Sequence, residues 1–434
     1  MEITVTPGRV GGRVSPPCSK SYAQRALAAS LLAEGRSVLH NLEFCDDTLS
    51  AMRCIETLGA RITRLDETTL AIEGGIRPTD GTNIRPAAER RGGLLHPASD
   101  TLHTGESGLA TRLFTPIAAL CDRTMHIVGT GSLLHRPMNP MLDTLRRLGA
   151  EVTDNDGRLP LTVRGPLHGG EADIDGSVSS QFVTGLLLTL PLADKDTVLH
   201  VTEPVSIPYL DMTVDTAARF GIEIGHRDYT EFFIEGGQRF RATEFHIEGD
   251  WSAAAMLLAA GAVAGEATVE NVRMLSKQAD TAVCEALVRA GASVISDADS
   301  VTAEARPLQA FEFDATHCPD LFPALAALAA AAEGTSILHG TSRLVSKECD
   351  RATAIREEYG KLGIEVELTE SDTMHIHGGT IRGGRVDSHG DHRMAMSLAV
   401  AALRADGPVA IDGAECVAKS FPDFFEVLDC MKLK

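Results

Sequence analysis

At 434 residues the chain is longer than one ordinary core can serve, and it reads as two or three domains. Hydrophobic content of 44% and charged content of 23% exclude a disordered or fibrous chain, and no apolar stretch reaches the length of a membrane span without charge. The formal net charge of -20, with no segregated basic patch, disfavours nucleic acid and anionic membrane as partners, so an anionic substrate has to be held by a local collection of Lys, Arg and helix ends.

The opening "MEITVTP" reads as a spare strand; the longer stretch "MEITVTPGRVGGRV" lacks a basic region followed by an apolar run, so the default expectation is a cytoplasmic protein. The stretch "PPCSKSYAQRALAASLL" then sets Lys20 between two serines at the head of a helix made almost wholly of Ala and Leu. An ordinary surface lysine needs no such setting. After it comes a plan that recurs six times: an apolar helix, a short strand, a loop, an amphipathic helix closing on Gly, and a second strand. The closing glycines are Gly59, Gly149, Gly221, Gly291 and Gly363, each followed by a β-branched strand, as at a helix C-terminus. From Gly149 onward they fall roughly 70 residues apart. The first interval is longer by a charged, Gly-rich insertion around "RPAAERRGG", expected to be a loop. A sixth unit, from "HRMAMSLAV" onward, ends without its final strand.

The apolar helices "ALAASLLA", "TGLLLTLPLA", "SAAAMLLAAGAVAG", "FPALAALAAAA" and "MAMSLAVAAL" are hydrophobic nearly all round, which predicts burial. Six units with helices inside and sheets outside divide most simply into two lobes of three, joined by a short hinge. The starts of these helices are nonetheless polar: "SKSYAQR", "GESGLATR", "SVSSQF", "GDWSAA", "HCPDLF" and "GDHRMA". A helix start offers unpaired N–H groups and about half a positive charge, a natural seat for phosphate or carboxylate. Lys20, Arg25, Arg112 and Arg393 add full charges there, and the loops before the amphipathic helices add Arg136, Lys277, Lys347, Arg351 and Lys419. Lys20 is expected as a solvated cation in a site that collects anions from both lobes. Singly, Ser or Asp at these positions is an ordinary cap; a cation beside it in unit after unit is not.

Other chemistries leave no trace. There is no G-x-x-x-x-G-K-[ST], no H-E-x-x-H, no G-x-G-x-x-G after a strand, and "DNDGR" lacks the remaining ligands of a calcium loop. The nine cysteines never take C-x-x-C spacing, which argues for buried free thiols over disulfides or a zinc site.

Taken in order, "SKSYAQRAL", "GSVSSQF", "VSKECDR", "GDHRMAM" and "AKSFPDFFE" resemble the enolpyruvyl transferases over essentially the whole chain. The resemblance implies the two-lobed enolpyruvyl transferase fold, an inside-out α/β barrel with six βαβαββ repeats, three per lobe. One lobe is expected over residues 19–246, the other over 1–18 plus 247–434. The implied reaction is transfer of the carboxyvinyl group of phosphoenolpyruvate to the 5-hydroxyl of shikimate 3-phosphate by addition and elimination, a step toward chorismate and the aromatic amino acids. No metal or organic cofactor is implied, and the small-molecule substrates would meet a monomer.

By matched motif, Lys20, Ser21 and Arg25 are expected to hold shikimate 3-phosphate, with Ser179, Ser180, Gln181, Ser206 and Tyr209 completing that site and Asp320 and Lys347 also reaching it. Lys20, Gly108, Arg136 and Gln181, with Arg351, Arg393 and Lys419, are expected around phosphoenolpyruvate. Asp320 would take the hydroxyl proton and Glu348 would protonate the methylene carbon, while Lys20, Arg136 and Lys419 stabilise the intermediate and departing phosphate. The chain departs from the family pattern at Glu106 and Leu109, which would bring a carboxylate and an aliphatic group toward phosphoenolpyruvate, at Arg343 in place of an Asn, and at Cys349. These bear on affinity and on the response to glyphosate, which in that family occupies the phosphoenolpyruvate site. Two alternatives remain at this level: the sister enzyme acting on a UDP-sugar, which typically has Lys-Asn where this chain has Lys20-Ser21, and a non-catalytic scaffold that binds acidic metabolites.

Overall fold

The structure, a computed structural model, describes residues 1–76, 93–345 and 347–433. The expected insertion around Arg85 to Gly93 therefore lies outside the described residues, Gly93 excepted. The chain divides into two units, one of Cys18–Ile247 and one of Met1–Pro17 with Glu248–Lys434.

The first unit holds α1 (Lys20–Leu32), α2 (Asp46–Thr57), α3 (Gly108–Ala118), α4 (Asn139–Arg147), α5 (Ser180–Thr189) and α6 (Ile207–Arg219). In α1, Tyr22 to Leu32 is buried without a break; α3 is buried throughout and α5 nearly so, whereas α2, α4 and α6 bury one face. Ala, Gly and Thr on the inner helices allow this close packing: a Cβ added at Gly185 of α5 would lie 2.2 Å from the Arg112 carbonyl of α3. The closing glycines Gly59, Gly149 and Gly221 all have positive φ, the left-handed turn that stops an outer helix and aims the chain into a strand.

Three four-stranded sheets of one topology cover these helices. Thr101–His103 runs parallel to Met125–Val128, which pairs antiparallel with Arg158–Arg164, and that with Glu151–Asn155. Gly170–Asp175, Thr197–Thr202, Glu231–Ile234 and Ile224–Arg227 repeat the order. In the third sheet the leading strand is Glu244–His246, from the far end of the unit, paired with Arg36–His40 in the register His246 to His40. Along Arg158–Arg164 the buried residues Leu159, Leu161 and Val163 alternate with more exposed ones, so each sheet turns one face inward.

The second unit repeats the plan with α7 (Trp251–Ala264), α8 (Val283–Arg289), α9 (Phe322–Ala330), α10 (Arg351–Lys361), α11 (His392–Ala402) and α12 (Phe424–Met431). The Ala-rich α7, α9 and α11 pack on one another and are buried almost completely. Its last sheet has only three strands. Gly384–Asp387 pairs parallel with Val409–Asp412, and the third strand is Glu2–Val5, antiparallel in the register Glu2 to Asp412. The spare strand at the start thus fills the place that the sixth unit leaves open. A strand not expected from the sequence, Arg13–Val14, leads the sheet built on Glu266–Glu270. No helix among the described residues is long and apolar enough to cross a membrane.

Candidate active site

The inner helices begin where polar residues collect. In the first unit, Ser19, Ser107 and Ser179 cap α1, α3 and α5 through their hydroxyl oxygens. Lys20 opens α1, but it is not the solvated cation expected: its Nζ lies 3.0 Å from Asp47 Oδ2, with the side chains 13% and 7% exposed. Asp47 sits in the first turn of α2, and α1 packs on α2, which brings the pair together. Ser21 follows, half-buried.

Arg25, one turn on, is 1% exposed. Its Nε donates to Thr213 Oγ1 at 2.9 Å, Nη1 to the Ser21 carbonyl at 3.0 Å, and Nη2 to Thr184 Oγ1 and the Tyr209 carbonyl. Arg25 therefore ties α1 to α5 and α6, and burial pulls its pKa down to about 10. Ser206, at the N-terminal boundary of α6 with no side-chain cap there, sits in the left-handed region at φ 53°, unusual for serine.

At the start of α3 two guanidinium groups converge on Gly108. A Cβ there would lie 2.8 Å from Arg112 Nη1 and 2.9 Å from Arg136 Nη1. Arg112 is committed: it donates to Gln181 Oε1 at 2.9 Å and lies 4.9 Å over the Phe182 ring. Arg136 is not, since among the described residues its guanidinium has no hydrogen-bond or ion-pair partner. Gln181 is oriented twice, by Arg112 and by its own N–H on Ser179 Oγ at 3.3 Å; Ser180 beside it is 5% exposed. The family departures separate here. Leu109 is 7% exposed and packs into the hydrophobic core, not toward a ligand, because α3 is enclosed along its whole length. Glu106 is exposed, with its carboxylate lying over Gly131.

In the second unit a charge network forms around α9, α10 and α11. α9 carries no side-chain cap; the turn Pro319–Leu321 precedes it, so the Asp320 carboxylate is not spent on capping. Asp320 Oδ1 accepts from Arg351 Nη1 at 2.7 Å and Lys347 Nζ at 3.1 Å, and Oδ2 lies 3.3 Å from Arg393 Nη2. Arg351, fully buried, also donates through Nη2 to Glu348 Oε2 at 2.7 Å and through Nε to Asp391 Oδ2 at 2.7 Å. Asp391 caps α11 by accepting the Arg393 N–H at 2.8 Å, and so fixes where Arg393 begins. Burial alone would push the Asp320 carboxyl up, but the charges of Arg393, Lys347 and Arg351 hold it well below the usual carboxylate range. Burial draws Lys347 down against the pull of Asp320. Burial also works against Arg351, yet Asp391, Glu348 and Asp320 keep it firmly protonated. Lys419, 8% exposed, ends the turn Ala414–Lys419. Arg343, where the family often has Asn, lies within the field of Asp320 and Asp372, and burial draws its pKa down. Cys349 stands 3.8 Å from Asp391 Oδ2, and burial raises its thiol far above the usual range.

Three residues that matter here were not singled out from the sequence: Asp47, Asp391 and Asp280. Arg112 was expected only as a helix-start charge, without its partners; Asp391 lies inside the quoted "GDHRMA" and was legible as a helix-start residue, whereas Asp47 and Asp280 carry no local signal. Glu357, Glu358 and His389 form the one cluster with metal-ligand geometry among the described residues. Glu358 is already engaged by Lys361, His389 and the Asp387 N–H.

The model of the family described as EPSP synthase (3-phosphoshikimate 1-carboxyvinyltransferase) matches residues 5–428. A 3-phosphoshikimate 1-carboxyvinyltransferase of Methanocorpusculum labreanum is 36% identical over 434 residues, covering 100% of this chain and 98% of the relative. One from Halobacterium salinarum is 38% identical over 440 residues, covering 99% and 98%. The solved structure of EPSP synthase from Acinetobacter baumannii superposes with a TM-score of 0.82 at 27% identity, covering 100% of this chain and 98% of that one. With matching sequence, fold and helix-start chemistry along its whole length, the chain belongs to the EPSP synthase family of 3-phosphoshikimate 1-carboxyvinyltransferases.

Proposed function

We propose that the polar helix starts of the two units hold the substrates of this family's reaction, the transfer of the carboxyvinyl group of phosphoenolpyruvate to the 5-hydroxyl of shikimate 3-phosphate. The observation that carries the reading is the convergence of Lys347, Arg351 and Arg393 on Asp320, a carboxylate free of any capping duty. Three cations placed around one carboxylate beside Glu348 are poised to exchange that carboxylate for anionic groups of a ligand.

Phosphoenolpyruvate is assigned to Arg136, Gly108, Gln181, Lys20, Arg351, Arg393 and Lys419. Arg136 is uncommitted, and Gly108 leaves room beside it. Shikimate 3-phosphate is assigned to Lys20, Ser21, Ser179, Ser180, Gln181, Ser206, Tyr209 and Lys347. Arg25, with four donors used within the protein, contributes chiefly by holding Ser21 and Tyr209 in place.

Asp320 takes the proton of the 5-hydroxyl as its oxygen bonds to C2 of phosphoenolpyruvate, and Glu348 protonates C3. Elimination returns a C3 proton to Glu348, re-forms the C2–C3 double bond and breaks the bond from C2 to the phosphate oxygen, and the departing phosphate takes the proton held by Asp320. With three cations on it, Asp320 is a weak base; ligand anions that draw Arg351 and Arg393 away raise its basicity when both substrates are present. Glu348, paired with Arg351, is released by the same exchange. Lys20, Arg136 and Lys419 stabilise the tetrahedral intermediate and the departing phosphate. The same reading takes the enzyme to be a cytoplasmic monomer, which light scattering on the purified protein tests for mass.

The test is a phosphate-release assay with both substrates, each omitted in turn, and with a UDP-sugar acceptor in place of shikimate 3-phosphate. Release that requires both substrates, and drops at least a hundredfold in Asp320→Asn, is expected. Release with the UDP-sugar, or full activity in Asp320→Asn, overturns the assignment.

A further inference from the structure

Asp280 lies in the short turn Ala279–Ala282 that leads into α8, and it is 2% exposed. One carboxylate oxygen, Oδ2, accepts the Ser252 hydroxyl of α7. The other, Oδ1, is enclosed, and among the described residues nothing donates to it. Gln278, two residues earlier, ties the segment to the start of α7. Gln278 Nε2 donates to the Gly249 carbonyl at 2.9 Å, and its Oε1 accepts the Trp251 N–H at 3.1 Å. A buried carboxylate with one bare oxygen is costly as a structural element, so the placement points to a role beyond packing.

The charged and titratable groups that act on Asp280 are the Asp320 and Asp250 carboxylates and the Arg393 guanidinium, with the Cys318 thiol also in its field. Burial, then the negative charge of Asp320, raise the Asp280 carboxyl to about 7, with Arg393 opposing. Asp280 therefore shares the electrostatic field of the arginine and the carboxylate of the charge network.

We propose that Asp280 is a positioning residue for phosphoenolpyruvate binding: neutral, it leaves the Arg393 charge to the ligand; ionised, it competes for Arg393 and repels the incoming anion. The inference rests on the assignment of Arg393 to phosphoenolpyruvate. It makes substrate affinity respond to pH through a group that touches no substrate atom.

The experiment measures KM for phosphoenolpyruvate between about pH 6 and about pH 8.5, at saturating shikimate 3-phosphate, in the parent, Asp280→Asn, Ser252→Ala and Arg393→Gln. Titration of the ligand's own phosphate is common to all four and cancels in the ratios. Asn keeps the shape and the acceptor for Ser252 but cannot ionise. The parent KM is expected to rise with pH relative to Asp280→Asn by a factor on the order of ten, one pKa unit of coupling, with the change in KM and not in kcat. Ser252→Ala removes a donor to the ionised form, so its rise should move to higher pH. Parallel profiles for the parent and Asp280→Asn, or an unmoved profile in Ser252→Ala, overturn the proposal; the second holds even if Asp280→Asn fails to fold. An unchanged KM in Arg393→Gln sinks the site assignment instead. A raised KM there with parallel parent and Asp280→Asn profiles sinks only the role of Asp280.

Discussion

Replacing Gly108 by Ala sets stability and binding against each other. The added Cβ would meet Arg112 Nη1 at 2.8 Å, Arg136 Nη1 at 2.9 Å and Arg136 Cζ at 3.3 Å, closer than ordinary van der Waals contact. Arg112 is tied to Gln181 and the Pro137 carbonyl and stacks on Phe182. Arg136 has no such ties and is the group that yields, by roughly half an ångström or more. Misplacing one charge-assisted bond to an anion in a tight pocket costs about 1–3 kcal/mol, a rise in KM for phosphoenolpyruvate of roughly 5- to 150-fold. The backbone itself suffers nothing, since Gly108 is the first helical residue and its φ lies outside the left-handed region. Ala is a better helix former than Gly by up to about 1 kcal/mol, so the urea midpoint should hold or rise. Steady-state kinetics in each substrate, with urea unfolding, checks both signs. An unchanged KM for phosphoenolpyruvate, or an equal rise for shikimate 3-phosphate, would refute the placement of Arg136.

Three further outcomes are expected. Lys20→Ala should abolish turnover and also lower stability by about 3 kcal/mol, the lower end of the cost of removing one partner of a buried pair; adding Asp47→Asn should recover part of the stability and none of the turnover, which urea unfolding and the phosphate assay separate. Asp320→Asn should lose the stability that the depressed carboxyl supplies. Because its folded pKa lies below the unfolded value of about 4, that loss should be full at neutral pH and shrink as pH falls through the lower folded value; a loss that persists in acid contradicts the network. Among the nine cysteines only Cys430 is exposed, while burial pushes Cys54 and Cys121 up to about 12, so a thiol reagent on the folded enzyme should label one site fast; several fast sites contradict the burial pattern.

Much of this fold was legible in the sequence, because its signals are local and periodic. Gly59, Gly149, Gly221, Gly291 and Gly363 mark helix ends that require positive φ, and helices apolar on every side have nowhere to lie but inside. The polar helix starts were legible for the same reason: capping and charge at an N-terminus are properties of a few consecutive residues. Arg13–Val14 was not, since two residues give no period to read, and its strand exists only because Glu266–Glu270 lies beside it. The partners of the charges were not legible either. Asp47 reaches Lys20 across two packed helices, Asp391 holds Arg351 from 40 positions away, and Leu109 lies in the core because neighbouring elements enclose α3 along its whole length. A sequence determines which face of a helix is apolar and where the helix begins. Which carboxylate neutralises which cation, and how far burial moves its pKa, depends on distances of a few ångströms in a poorly screened interior, and these are set only when the helices pack.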